Sequence, residues 1–223
     1  MNLFAMKRSE LPLYKELEKT EKAVLKKIAC QHGWRQRDFI EWRIEAGYFL
    51  CLSVPTINYV LSSITLEIKP LFIDDLWWDV FNMSSNKNEP MSLRGIGCFA
   101  VRAPRIAKYD VLDPNHALDY SQASIESKLE EVFQAIDKDI QAFLSKHPNP
   151  ELFCPEDGGE YGWISPIYTL TMDLHAGKFD QVEERIRDYR SKGISSGLLS
   201  MDSSRKTRDA FDFFIDWCHS HSV

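Results

Sequence analysis

No stretch of this 223-residue chain is apolar for long enough to cross a membrane. The first ten residues, Met-Asn-Leu-Phe-Ala-Met-Lys-Arg-Ser-Glu, lack the continuous apolar core of a signal peptide. Cysteine is sparse and unpatterned: Cys30, Cys51, Cys98, Cys154 and Cys218 are odd in number and contain no Cys-x-x-Cys. That pattern argues against a disulfide framework or a zinc ribbon and predicts free thiols in a reducing cytoplasm. An excess of positive charge is also missing. The formal net charge is −6, which argues against general nucleic-acid binding, because phosphates are held by cations that displace counterions.

Several chemical signatures are incomplete. Gly95-Ile96-Gly97 lacks the third glycine and the following helix of a dinucleotide fingerprint. The loop 156–162 is rich in carboxylates and glycine but lacks the EF-hand alternation, and reads as a solvated turn. Cys154 carries no cysteine-protease signature and reads as an inert thiol. Cys218, His219 and His221 are zinc-type ligands, but the two histidines are two residues apart and diverge on a helix, so they read as a chain terminus. No metal, cofactor or catalytic residue is expected.

What is present is ample apolar area, including thirteen Phe, eight Tyr and six Trp, enough to pay the entropy of folding. Its period changes along the chain. Apolar residues mostly alternate from Arg35 to Arg102 and recur every three or four residues from Ser121 onward. The fold expected is therefore α+β: an antiparallel meander of about four strands packed against helices, then a helical segment. Residues 1–150 form the α+β part, and residues 151–223 a helical extension.

The first helix is predicted over 12–31, with Pro12 in its first turn, Gly33 at its stop and Leu13, Leu17, Val24 and Ile28 as its apolar stripe. Lys and Glu of mixed sign on its other sides read as a solvated face. Ile40, Trp42 and Ile44 alternate with Glu41, Arg43 and Glu45, Ala46-Gly47 offers a tight turn, and Tyr48, Leu50, Leu52 and Val54 share a face of the next strand. A break at 55–58 precedes a third strand over 60–68. The polar sides of the first and third strands predict one sheet face in water and the other under helices. A short helix follows over 73–83, with Asp74 and Asp75 in its first turn, then a mobile polar loop at 84–90. A fourth strand is predicted over 93–102, and residues 103–120 read as irregular linker.

The long helix over 122–146, capped by Ser121 and stopped by His-Pro-Asn-Pro, is the expected cover of the sheet. Three more helices are predicted near 163–176, 180–192 and 204–220. Gly177, the aromatic Phe179 two residues on, and the Val182/Ile186/Tyr189 stripe resemble a helical hairpin of the tetratricopeptide type. The resemblance spans about 30 residues with no second copy, and implies hairpin geometry alone.

Two candidate surfaces emerge. Asp74, Asp75, Asp79 and Glu89 surround Trp77-Trp78, and Trp78 falls off the apolar stripe of its helix, where an indole covers a second core layer or meets a partner. Arg94, Arg102 and Arg105 are the candidate ligand-facing patch, since arginine grips anions bidentately. The expected function is non-catalytic binding of another protein, as an adaptor or immunity-like module. The alternative is a small-molecule-binding domain or enzyme with a pocket between the sheet and the long helix.

Overall fold

Pro12 stands in the first turn of helix α1, Leu11–Gln31, where its missing N–H costs no hydrogen bond. The computed structural model describes residues 9–37, 40–57, 59–97, 99–201 and 206–221. Cys98, Asn58 and the start of the last expected helix at 204 lie outside the described residues. Two compact units divide the chain: residues 1–69 with 105–152, and residues 70–104 with 153–223. The division passes beside the expected boundary at 150, and the second unit also takes in 70–104.

The first unit holds a five-stranded antiparallel sheet of strands β1 (Arg35–Arg37), β2 (Ile40–Glu45), β3 (Tyr48–Ser53), β6 (Ser63–Pro70) and β7 (Arg105–Asp110), in the order β1-β2-β3-β6-β7. Strands β4 (Thr56–Ile57) and β5 (Val60–Leu61) form a separate ladder between β3 and β6 in sequence. The β2–β3 turn is the expected Ala46-Gly47. Both residues have positive φ, 48° and 81°, the geometry that twists with the flanking strands.

Three strand expectations are corrected. The third strand is interrupted, because residues 60–61 pair back with β4 and the sheet strand starts only at Ser63. The described residues of 93–102 form no strand. Met91–Gly95 is a 3-10 helix, closed by Leu93 N–H to Pro90 O at 2.9 Å and Ile96 N–H to Leu93 O at 3.1 Å. The strand beside β6 is instead β7, from the expected linker, with Ser63 opposite Asp110 and Ile64 opposite Tyr109. It carries exposed Arg105, Lys108 and Asp110.

The sheet's faces also differ from expectation. In β3 and β6 both faces are buried: Leu50 and Phe49, Ile64 and Thr65. Lys69 is buried with its ammonium 5.7 Å from the centre of the Phe49 ring, and Cys51 Sγ lies 3.8 Å from Glu67 Oε2. The alternating polar residues Ser63, Thr65 and Lys69 are buried, so alternation did not mean water.

Helix α3, Gln122–Lys146, has the predicted bounds, and the Ser121 hydroxyl accepts the Ser124 N–H at 3.2 Å. It packs along α1 and on one face of the sheet, where Phe143 meets Tyr48 edge-on at 5.2 Å. The polar row of β2 faces this helix. Arg43 donates to Asp137 at 3.0 Å, and Glu45 accepts from Gln141 at 3.0 Å. His32, just past α1, ties the helices together through Asp137 at 2.6 Å and Glu130 at 3.3 Å.

The second unit contains α2 (Phe72–Val80), α4 (Pro166–His175), α5 (Phe179–Ser191) and α6 (Ala210–His221). Strands β8 (Leu199–Met201) and β9 (Thr207–Asp209) pair just before α6, so the last helix starts later than predicted. Helices α4 and α5 make the predicted hairpin. Gly177 turns it at φ +68°, a conformation easy for glycine, and Lys178 N–H closes on Asp173 O at 2.9 Å. Residues 84–88, expected as loop, form a 3-10 helix held by Ser84 and Lys87 on the Asp79 carboxylate.

Candidate functional site

The stripe that α1 buries is Leu17, Glu21, Val24, Leu25, Ile28 and Ala29. Leu13, assigned to the stripe from spacing, is 58% exposed. Glu21 follows Leu17 by four residues and precedes Val24 and Leu25 by three and four, so the helical period carries a carboxylate into the interior. It is 1% exposed. Its Oε2 accepts the Leu61 N–H at 2.9 Å, while Oε1 has no hydrogen-bond partner among the described residues. Burial pushes the Glu21 carboxyl up to about 7, against the Leu61 hydrogen bond, which favours the charged form.

A second carboxylate arrives from the sheet. Glu41 lies opposite Leu52 and on the side of β2 that carries Arg43, the side that meets the helices. It is 2% exposed. Gln36 donates its amide to Oε1 at 2.8 Å, and Oε2 has no partner among the described residues. Burial raises its proton affinity too.

Glu21 and Glu41 line one cavity of about 450 Å³ within the first unit, with apolar walls that include Leu25, Val54 and Leu61. Lys22 and Lys26 stand exposed beside it, and Lys22 is held by Glu18 at 2.7 Å. Its size falls in the range of small-molecule pockets, roughly 300–1,000 Å³. The combination of apolar walls with a few buried polar groups is also that of a ligand site. It lies against α1 and β2, whereas the pocket expected from the sequence lies between the sheet and the long helix.

The residues singled out from the sequence lie elsewhere. Trp78 is buried in the second unit, where its indole N–H donates to Phe99 O at 2.6 Å. Arg94 is buried beside it, with its guanidinium 4.7 Å from the indole ring centre. It donates to Asp75 at 2.7 Å and Leu71 O at 2.9 Å, and stands 3.8 Å from buried Asp74. Arg102 is exposed and covers Trp163 at 5.2 Å. Arg105 is exposed on β7 in the first unit.

Other sequence candidates are occupied structurally. Asp157 accepts the Ile164 N–H at 2.8 Å, within a turn closed by Gly158 N–H to Gly162 O at 2.9 Å. Burial and the Asp173 carboxylate push the Cys154 thiol above its ordinary value, which opposes a nucleophilic role. Burial also lifts the Cys218 thiol to about 11, His219 pairs with Glu183 at 3.2 Å, and His221 stacks on Trp217 at 4.0 Å. No group of three His, Cys, Asp or Glu suited to a metal ion occurs among the described residues. No helix among them is long and apolar enough to cross a membrane.

Neither cavity carboxylate stands out by motif. Glu21 has one legible signal, its place within the apolar stripe. Glu41 has none, since an alternating polar residue on a strand ordinarily faces water. No protein-family model matches the chain, and neither the curated proteins nor the solved structures yield a match.

Proposed function

We propose that this protein is a binding protein that takes a small organic cation into the cavity between α1 and β2. The observation that carries the reading is that two buried carboxylate residues, Glu21 and Glu41, are among those lining one cavity. A carboxylate taken out of water without compensation costs several kcal/mol, and such groups cluster where function needs them. An ammonium or similar group restores the lost interactions through charge-assisted hydrogen bonds. The thiols of Cys30 and Cys154 suit a cytoplasmic setting.

Calorimetric titration with n-pentylamine at pH 8, with pentanol as the neutral control, tests the reading. Saturable binding of the amine, absent for the alcohol and weakened in Glu21→Gln and Glu41→Gln, is expected. Equal behaviour of amine and alcohol overturns it.

Binding of another protein is a second reading, favoured by one observation: Trp163 is 58% exposed with the Arg102 guanidinium over its ring. Trp and Arg are the residue types most enriched at interface hot spots. A photoactivatable residue at position 163 tests it. One reproducible cross-linked protein in the source cells supports this reading, and diffuse labelling of abundant proteins overturns it.

A further inference from the structure

We infer that Glu21 is a proton-operated latch: with its proton it holds β5 against α1, and without it β5 and its ladder partner β4 come away. The latch is independent of what the cavity binds.

Glu21 reaches from α1 to the backbone of β5, where its Oε2 accepts the Leu61 N–H at 2.9 Å. Oε1 is buried and has no hydrogen-bond partner among the described residues. An ionised carboxyl offers about four lone-pair sites, and one N–H does not replace the water they lose on burial. The neutral acid therefore belongs to the closed arrangement, and the charged form to one in which the group reaches water. Burial accordingly pushes this carboxyl up to about 7. The hold is complete below the unfolded value of 4.5 and is lost as pH rises through the folded one.

The segment it holds is lightly built. The β4–β5 ladder has two residue pairs, Thr56 with Leu61 and Ile57 with Val60, and both β4 residues are exposed. Tyr59 lies between them at φ +68°, a left-handed conformation that is unfavourable for a residue with a Cβ. Leu61 O accepts the Leu112 N–H at 3.2 Å and Ser62 O the Val111 N–H at 2.9 Å, which tethers the segment at its β6 end. Val60 and Leu61 are buried when the latch is closed. The open arrangement is thus a minor one whose population grows as the proton leaves.

The surrounding charges do not satisfy Oε1. On α1, Glu18 raises the proton affinity of Glu21 and Lys22 lowers it, and the two pair with each other at 2.7 Å. Lys26 and Glu41 line the same cavity, and Glu41 is held by Gln36. Arg35 and Arg37 of β1 are exposed. The 3-10 helix Pro114–Asp119, packed on α1 and β5, carries exposed His116 and Asp119, 3.3 Å apart. On α3, Glu126 bonds Lys27, and Glu130 and Asp137 bond His32.

Hydrogen exchange of the full-length protein, read by NMR at the Leu61 amide from pH 6 to 8 and corrected for the intrinsic rate, tests the latch. Leu61 protection should fall about tenfold over that range, while the slowly exchanging amides of β3 keep theirs. In Glu21→Gln, which has no proton to lose, Leu61 protection should not change with pH. Constant protection at Leu61 in the unaltered protein overturns the inference. An equal fall at Leu61 and in β3 also overturns it, because the molecule then opens as a whole. A fall that persists in Glu21→Gln assigns the proton to another group and overturns it too. The two comparisons within the unaltered protein stand even if the variant fails to fold.

Discussion

Glu21 of helix α1 caps the backbone of Leu61, with Oε2 2.9 Å from its N–H, and does so 1% exposed to solvent. A buried carboxylate that holds one N–H of the short strand β5 is a costly anchor. The pH dependence of folding should record that expense. In the unfolded chain Glu21 takes its ordinary value near 4.5, and in the folded protein about 7. A raised carboxyl stabilises fully below the unfolded value, and that contribution is lost as pH rises through the folded one. Glu18 adds to the rise, Lys22 and the Leu61 N–H oppose it, and Glu41 and Lys26 line the same cavity.

Glu21→Gln, which imitates the protonated form, should therefore flatten the loss of stability between pH 5 and 8. The expected gain over the unaltered protein is roughly 2–3 kcal/mol at pH 8 and near zero at pH 4. Urea unfolding at a series of pH values measures it. A parallel pH profile for the two proteins would mean that the carboxyl is not shifted.

Arg94 should behave as a core residue. Arg94→Met removes the guanidinium beside wholly buried Asp74 and bonded to Asp75, and should cost about 3–5 kcal/mol. Arg105→Ala, on an exposed strand position, should cost less than about 0.5 kcal/mol. Arg102→Ala should cost up to about 1 kcal/mol, through its lost contact with the Trp163 ring. Thermal melts of the three variants, compared side by side, give this ranking or refute it.

Gly47 should not tolerate a side chain. Its φ is +81°, and an added Cβ meets Pro150 Cγ at 3.0 Å. Gly47→Ala should lose about 1–2 kcal/mol, readable as a lower urea midpoint at unchanged slope.

Much of the architecture was legible, and each success has a local cause. The α3 bounds follow from Ser121 and His-Pro-Asn-Pro, the hairpin turn from Ala46-Gly47, and the α4–α5 hairpin from Gly177 and Phe179. Caps, turns and helical stripes are written within a few neighbouring residues. The misreadings have tertiary causes. Residues 91–95 curl instead of extending, with Arg94 bonded to the Leu71 carbonyl and to Asp75, residues some twenty positions away. Strand β7 is a half-exposed edge with little alternation to detect. Glu41 follows the period of an outward residue, yet the register of β2 on β3 sets it on the helix side. The cavity combines that register with the Glu21 position on α1, and no local spacing encodes both.

The outer strands of the five-stranded sheet, Arg35-Gln36-Arg37 and Arg105–Asp110, display guanidinium and ammonium groups to water. A further chain seeking to zip on at either margin would have to strip those cations of hydration. Fibril growth by strand accretion is thereby disfavoured, and a peptide visitor is steered away from lying down as a sixth strand.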